Sequence, residues 1–349
     1  MTSISLLVIN YHSASLAADA IRTARAASSG PLQTVVVDNS DDRAEVEALR
    51  GIADVVIAAP RNLGYAGGIN AGRRSCGGEV IVVSNSDVQF GEHAIDRLAD
   101  AGAAVAGPAL FWDEAHQWML PPADLQTRSE VIDRAFASRS RTWAGRRDRR
   151  RFAARVAFWS LDEPARVRAL SGAVMAVRAA ALDAAGGFDE RFALYFEEND
   201  FLRRVRGDVV YVPAARCRHL YNQSAAGPSE SAALYAQSEE RYLRKWGGHF
   251  VKRFEQHRPD SPIQSYANGR IGESALPFAR DSVVIEASPL ASFETAAGYF
   301  GNDVVGVPED IWSTYRGEIL YLRAVDRHSG RVLHSWAKDR SLRSRTLER

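Results

Sequence analysis

Three carboxylates stand within four residues at Glu197, Glu198 and Asp200, directly after the aromatic run Phe192-Ala-Leu-Tyr-Phe196. They open an expected helix from Glu198 to Arg206, stopped by Gly207. Backbone N–H groups and the helix dipole favour the charged form of a carboxylate at such a terminus. These side chains are therefore expected to be ionised, and one of them is placed to take a proton from a hydroxyl. The same pattern serves ordinary helix capping, so the cluster alone does not decide for chemistry. A second group lies at the end of Val80-Ile-Val-Val-Ser-Asn-Ser-Asp-Val88, where Asn85 and Asp87 are one residue apart. Alternate residues of an extended segment face the same side, so both oxygens can point toward one hard cation that also holds a diphosphate. Polar residues ending a strand can equally be turn formers. A third group, Arg61-Asn-Leu-Gly-Tyr-Ala-Gly-Gly-Ile-Asn-Ala-Gly72, is a glycine-rich turn entering a helix, which brings backbone N–H groups toward an anion. Its spacing differs from the dinucleotide fingerprint, and it follows a third strand rather than a first. Tight packing of helix on strand accounts for such glycines as well.

The elements that must position these groups follow from periodicity. Short β-branched runs at Ser5 to Ile9, Thr34 to Asp38, Asp54 to Ala58, Val80 to Ser84 and Ala104 to Gly107 predict strands. Helices are expected over Ser13 to Ala27, Asp42 to Leu49, Ala66 to Arg74 and Glu92 to Ala101. This alternation predicts βαβ units and a mostly parallel sheet, whose ligands bind beyond the carboxyl ends of the strands. Asn10 and Tyr11, Asp38 and Asn39, and Asn85 and Asp87 occupy three of those ends.

The chain has 349 residues, with 44 basic against 43 acidic side chains, so no global field points to nucleic acid. Only Cys76 and Cys217 are present, too few for a disulfide framework or a zinc cluster, which fits a reducing cytoplasm. No apolar run reaches the length of a signal peptide core or a membrane span. From Phe111 to Arg168 the sheet rhythm fails and an arginine run, Arg139 to Arg151, is expected as a solvated helix or mobile loop, with contact to a phosphate-bearing acceptor or an anionic membrane surface as the other reading. A short strand is predicted over Val209 to Val212 and a helix over Glu230 to Trp246. Past about Pro259, strands at Asp281 to Glu286, Asp303 to Val307, Glu318 to Arg323 and Gly330 to Trp336 predict a small β-rich module. The expected division is residues 1–258 and 259–349.

Five motifs in order, Val8-Ile-Asn-Tyr11, Val37-Asp-Asn-Ser40, Asn62-Leu-Gly-Tyr-Ala-Gly-Gly-Ile-Asn70, Ser84-Asn-Ser-Asp87 and Gly187-Phe-Asp through Glu-Glu-Asn-Asp200, carry a resemblance. From about Ser3 to Trp246 the chain resembles the family 2 glycosyltransferases of the GT-A fold, especially their rhamnosyltransferase-like branch. That resemblance implies an α/β, Rossmann-like sheet flanked by helices and an inverting, metal-assisted transfer from a nucleotide sugar. Asn10, Tyr11 and Asp38 would line the base and ribose pocket. Asn62, Gly64, Gly67, Asn70 and Asn85 would serve the ribose and diphosphate side. Asp87 would hold Mg or Mn, with His219 approaching metal or diphosphate, and Asn85 stands where the family has the first Asp of an Asp-any-Asp element. Gly172, Phe188 and Asp189 would shape the acceptor and donor-sugar side. Glu198 is the expected base, with Glu197 on sugar hydroxyls and Asp200 orienting the motif.

The resemblance also implies a dTDP- or UDP-sugar donor, dTDP-rhamnose first, and a glycan, lipid-linked or natural-product acceptor. Nucleic acid is not expected, whereas a peripheral contact with the inner face of the membrane and a homodimer stay open. Two other classes remain at this point. A nucleotidyltransferase would act on a sugar phosphate at the same sheet edge, and a glycan-binding protein would keep the sheet without catalysis.

Overall fold

A strand buried on both faces reads as an unbroken β-branched run, and the N-terminal half contains several. The computed structural model describes residues 2–220, 228–255, 265–266, 282–301 and 306–342. The chain begins with β1 (Ile4–Asn10), α1 (Ala14–Ala26), β2 (Leu32–Asp38), α2 (Arg43–Leu49), β3 (Val55–Ala58), α3 (Gly64–Arg73) and β4 (Val80–Asn85). Next come β5 (Val88–Phe90), α4 (Ala94–Ala99), β6 (Val105–Phe111), α5 (Arg128–Arg139) and α6 (Arg141–Trp159). They are followed by β7 (Ala165–Arg166), β8 (Val174–Arg178), α7 (Ala179–Ala184), α8 (Glu197–Arg204), β9 (Val209–His219), α9 (Pro228–Trp246) and α10 (His249–Lys252). The C-terminal part holds β10 (Ser265–Tyr266), β11 (Val283–Ser288), β12 (Ala297–Tyr299), α11 (Glu309–Thr314), β13 (Ile319–Asp326) and β14 (Val332–Asp339).

Nine strands make one sheet in the order β3-β2-β1-β4-β8-β6-β9-β5, with β7 beside β9. The first four are parallel neighbours, β8 enters antiparallel between β4 and β6, and β9 is parallel to β6. Six strands (β1, β2, β3, β4, β6 and β9) thus share one direction, and the expected mostly parallel α/β sheet is what forms. Period-two alternation sorts its side chains. Leu6, Val8, Val36 and Val82 pack with Ile21 and Ile95 on one face, while Leu7, Ile9, Val35, Val37, Ile81 and Val83 pack with Ile69 and Phe201 on the other. In register, Asn10 lies opposite Asp38 and Ile9 opposite Asn85, so the polar carboxyl ends align along one edge. The strand expected over Val209 to Val212 runs on to His219, because β6 and β5 supply pairing partners along its length.

A second sheet has the order β10-β14-β13-β11-β12. Its core takes in Trp112, Trp118 and Leu120 from the segment after β6 together with Trp312 and Trp336, and Met119 bridges to Gly298. The strand expected over Asp303 to Val307 falls largely outside the described residues, as does the expected boundary at 258 and 259. The arginine run is helical but only partly solvated. Arg147, Arg151 and Arg155 recur every fourth residue, hence on one helix face, and that face turns inward. Arg155 is buried against Glu286 of β11 at 2.6 Å, Arg323 of β13 reaches the same carboxylate at 2.7 Å, and Arg147 pairs with Glu294 at 2.6 Å. Helical spacing put the charges on one face, and Glu286 of β11 with Glu294 of the segment between β11 and β12 made it an inner face.

Candidate active site

At the ends of β1 and β2 the polar side chains hold one another. Asn10 is fully buried and donates from Nδ2 to Asp38 Oδ1 (2.7 Å) and Glu45 Oε2 (2.9 Å), while Ser13 Oγ donates to Asn10 Oδ1 at 2.9 Å. Ser40 Oγ donates to the second oxygen of Asp38 at 2.7 Å. Asp38 is thus a fixed acceptor at the sheet edge, and Tyr11 beside it is exposed, with its ring against His12. Glu45, which also accepts from Ala14 N at 2.8 Å, is a member of this network that no motif singled out.

One long-range strand pairing sets the chemistry around Asp87. Antiparallel pairing of β5 with β9 sets Val88 opposite His219, which leaves His219 Nε2 3.3 Å from Asp87 Oδ1. The backbone N–H of Leu220 donates to the Asp87 carbonyl at 3.0 Å and fixes that corner. Asp87 is buried and Asn85 half-buried. β4 ends at Asn85 and residues 86–87 form a turn, so the extended spacing expected to aim Asn85 and Asp87 at one point is not what forms. The Asp87 carboxylate and the His219 imidazole are the adjacent donors for a divalent ion that keeps waters and takes its remaining oxygens from a phosphate. Among the described residues no three His, Cys, Asp or Glu side chains gather around one point, so the protein alone does not complete a metal cage.

Two consecutive bulky residues, Tyr195 and Phe196, sit in the left-handed region with φ of 69° each. Such conformations cost about 1–3 kcal/mol apiece and persist only where packing enforces them. Here the Phe196 ring lies against Tyr235 and Tyr242 (centroids 5.1 and 5.2 Å), within a cluster that includes Val131, Phe192 and Leu243. The constrained turn starts α8 one residue earlier than expected and points its first carboxylates into the protein. Glu197 is buried, and its Oε2 has no hydrogen-bond partner. Burial, and after it the charge of Glu198, pushes the Glu197 carboxyl well above the usual carboxylate range. Burial likewise pushes Glu198 up to about 7, outweighing the backbone N–H bonds at the helix start. The expectation that the helix terminus keeps both ionised is therefore corrected, because loss of hydration exceeds the stabilisation by N–H groups and dipole.

Tyr65, present in the glycine motif but given no role by sequence reasoning, joins the two halves. Its hydroxyl donates to the Gly172 carbonyl at 2.7 Å. Burial, followed by the charges of Glu197, Glu198 and Asp87, raises its ionisation well above the ordinary phenol range. Tyr65 thus lies within the electrostatic reach of all three carboxylates. Gly172 borders Glu198, since a Cβ there would lie 3.4 Å from the Glu198 Cβ.

Several sequence-selected residues are engaged elsewhere. Asp200 is fully buried and held by Arg204 (2.9 Å), Lys245 (2.6 Å) and the Trp246 indole (2.9 Å), a position suited to anchoring α8. Asp189 is held well below the usual carboxylate range, first by its hydrogen bond from Arg191, with Lys245 also bound to it at 2.8 Å. Phe188 is buried and stacks on Phe201 at 4.4 Å. The Asn70 amide is spent on both backbone groups of Phe188 and on Glu190. Asn62 accepts from Gly64 N at 2.8 Å, closing the turn. Gly64 has φ +71°, and a Cβ on it would lie 2.6 Å from the Ala193 carbonyl; one on Gly67 would lie 2.9 Å from the Leu63 Cβ. At both positions the glycine permits a close approach of protein to protein.

A sequence model of the family described as Glycosyltransferase like family 2 matches residues 2–245. Among curated proteins, the chain is 27% identical over 240 residues to the N-acetylglucosaminyl-diphospho-decaprenol L-rhamnosyltransferase of Mycobacterium tuberculosis, an alignment spanning 61% of this chain and 74% of that one. Among solved structures it is similar to GalNAc-T7 with UDP, GalNAc and Mn2+, at 14% identity and a TM-score of 0.47. That match covers 70% of this chain and 48% of the other, so the chain spans about half of that structure's length. It is also similar to the mannosyltransferase PcManGT from Pyrobaculum calidifontis in complex with GDP-Man and Mn2+, at 15% identity and a TM-score of 0.43, covering 74% of this chain and 65% of that one.

Proposed function

Because the chain belongs to the glycosyltransferase family 2-like proteins, which makes it a glycosyltransferase, we propose that it moves L-rhamnose or a related deoxysugar from a nucleoside diphosphate to an acceptor hydroxyl with inversion. The observation that carries the mechanistic part is the position and proton affinity of Glu198. Its carboxyl is pushed to about 7, within the range in which a base can both accept a proton and be half-ionised at neutral pH. Glu198 takes the proton of the acceptor hydroxyl as that oxygen bonds to the anomeric carbon from one face. On the opposite face the bond from that carbon to the diphosphate oxygen breaks, and its electron pair leaves with the nucleoside diphosphate. Asp38, fixed by Asn10 and Ser40, accepts hydrogen bonds from the base of the donor. Burial favours the protonated form of Glu197, and in that form it is able to donate a hydrogen bond to a sugar hydroxyl.

Asp87, with His219 beside it, would hold a divalent cation, Mg or Mn, which when bound offsets charge on the departing diphosphate. For the acceptor we propose a lipid-linked saccharide, the class named for the mycobacterial relative. The test is incubation of purified protein with dTDP-rhamnose, UDP-sugars and a diphospholipid-linked N-acetylglucosamine acceptor. Acceptor-dependent release of dTDP together with a new α- or β-glycoside of inverted configuration supports the reading. Retention of configuration, or formation of a nucleotide sugar from a sugar phosphate, overturns it.

A further inference from the structure

The surface carries an aromatic and basic face that the transfer site leaves unused. On α5 the residues Ile132, Phe136 and Arg139 fall at helical spacing on one outward side, and Phe136 is 55% exposed. Trp143, at the start of α6, is also exposed and lies against Phe136 with ring centroids 5.3 Å apart. From the neighbouring α10 and the turn after it come Phe250 and Phe254, 66% and 56% exposed. Each of these rings has a guanidinium over it, Arg253 at 5.9 Å from Phe250 and Arg139 at 5.6 Å from Phe254, and the Arg139 contact ties the two elements into one face. The acidic groups near this face have basic partners of their own: Asp133 is paired with Arg147 and Arg150 and accepts from the Trp143 indole, Glu255 is paired with Arg134, and Glu240, which also feels Arg253, is paired with Arg244. Exposed rings with Arg139 and Arg253 over them form, among the described residues, a surface in which apolar and positive groups alternate.

We propose that this face docks the enzyme on an anionic lipid bilayer. Phenylalanine and tryptophan rings gain from entering the headgroup and acyl boundary, and arginine adds attraction to anionic headgroups, so the combination favours a membrane surface over a purely polar partner. Among the described residues no helix is long and apolar enough to cross a membrane, so this contact would be made from the surface. The location also suits the acceptor. Val131 of α5 packs in one cluster with Phe192 and Phe196, the residues that precede the Glu197-Glu198 turn. Arg203 of α8 donates to the Gln126 carbonyl just before α5, at 3.1 Å. A bilayer bound at α5 and α10 is therefore coupled through packed elements to the carboxylate helix. The inference extends the proposal of a lipid-linked acceptor but is tested without any sugar transfer.

The experiment is co-sedimentation of the full chain with vesicles of phosphatidylcholine alone or mixed with phosphatidylglycerol, at low and high salt. Binding to the phosphatidylglycerol vesicles that weakens with salt is expected. Phe136→Ser with Phe254→Ser, and separately Arg139→Glu with Arg253→Glu, should each lower that binding by about tenfold or more. Circular dichroism and donor binding in solution should be unchanged, which separates lost docking from lost folding. Wild-type protein left in the supernatant with anionic vesicles overturns the proposal, as does equal binding by both double variants. Sedimentation velocity supplies the remaining arm: a wild-type dimer converted to monomer by the serine variant, without vesicle binding, assigns the face to a second copy of the chain instead.

Discussion

Replacing Glu198 by Gln should separate catalysis from stability in opposite directions. Burial raises the Glu198 carboxyl from the ordinary 4.5 to about 7. Between those values the folded chain holds a proton that the unfolded chain has released. Stability from this group is accordingly complete below about pH 4.5 and is lost as pH rises through about 7. The interval from 4.5 to about 7 corresponds to at most about 3 kcal/mol at alkaline pH, an upper bound because the side chain is only half-buried. Glutamine occupies nearly the same volume and never ionises. The variant should therefore match wild type in urea denaturation near pH 5 and exceed it near pH 8, with a higher Tm there. Transfer should fall by about 100- to 10,000-fold, the usual contribution of a positioned base, while donor binding in calorimetry stays close to wild type. In the wild-type enzyme kcat/KM should rise about tenfold per pH unit and level off above about 7, as Glu198 becomes ionised. Retained turnover in the variant would refute the assignment of the base. A stability difference that is the same at both pH values would refute the burial reasoning.

Asp87→Ala should make nucleotide-sugar affinity indifferent to Mn, measured by titration calorimetry with the ion present and after chelation; a persisting response to Mn would move the ion elsewhere. Glu286→Gln should leave Arg155 and Arg323 buried without their shared carboxylate and cost about 3–5 kcal/mol, read from chemical denaturation. A loss under about 1 kcal/mol would show that solvent and Asp148, which accepts from Arg323 at 2.9 and 3.0 Å, compensate.

Much of the sheet was legible because its signals are local. Apolar runs of four to seven residues, separated by helical patterns, located β1 to β4 within a residue or two. The polar residues that follow such strands necessarily fall on one edge when the strands are parallel. Roles within the Gly186-to-Asp200 segment were less legible. Asp189, Asp200, Asn70 and Phe188 have the residue types of a site but spend their polar or apolar groups within the protein: Asp189 on Arg191 and Lys245, Asp200 on Arg204, Lys245 and Trp246, Asn70 on Glu190 and the Phe188 backbone, and Phe188 on Phe201. Only the Asp200–Arg204 pair, four residues apart on α8, is of a kind that spacing predicts; the partners from distant elements are not. Tyr65 was missed for the complementary reason: an aromatic residue among glycines gives no sign that its hydroxyl will reach Gly172.

Local patterns along the chain set the α/β rhythm, the strand ends that carry Asn10, Asp38 and Asn85, and the carboxylate cluster on a short helix. These depend on periodicity and chain order alone. Tertiary structure decided which of those carboxylates remain available and in what protonation state. His219 meets Asp87 only because β9 pairs antiparallel with β5, and the inward face of α6 exists only because Glu286 and Glu294 lie opposite it. Glu197 and Glu198 change character for the same reason. The field of a helix terminus is local and favours their charge, but burial by distant parts of the chain removes water from them and prevails.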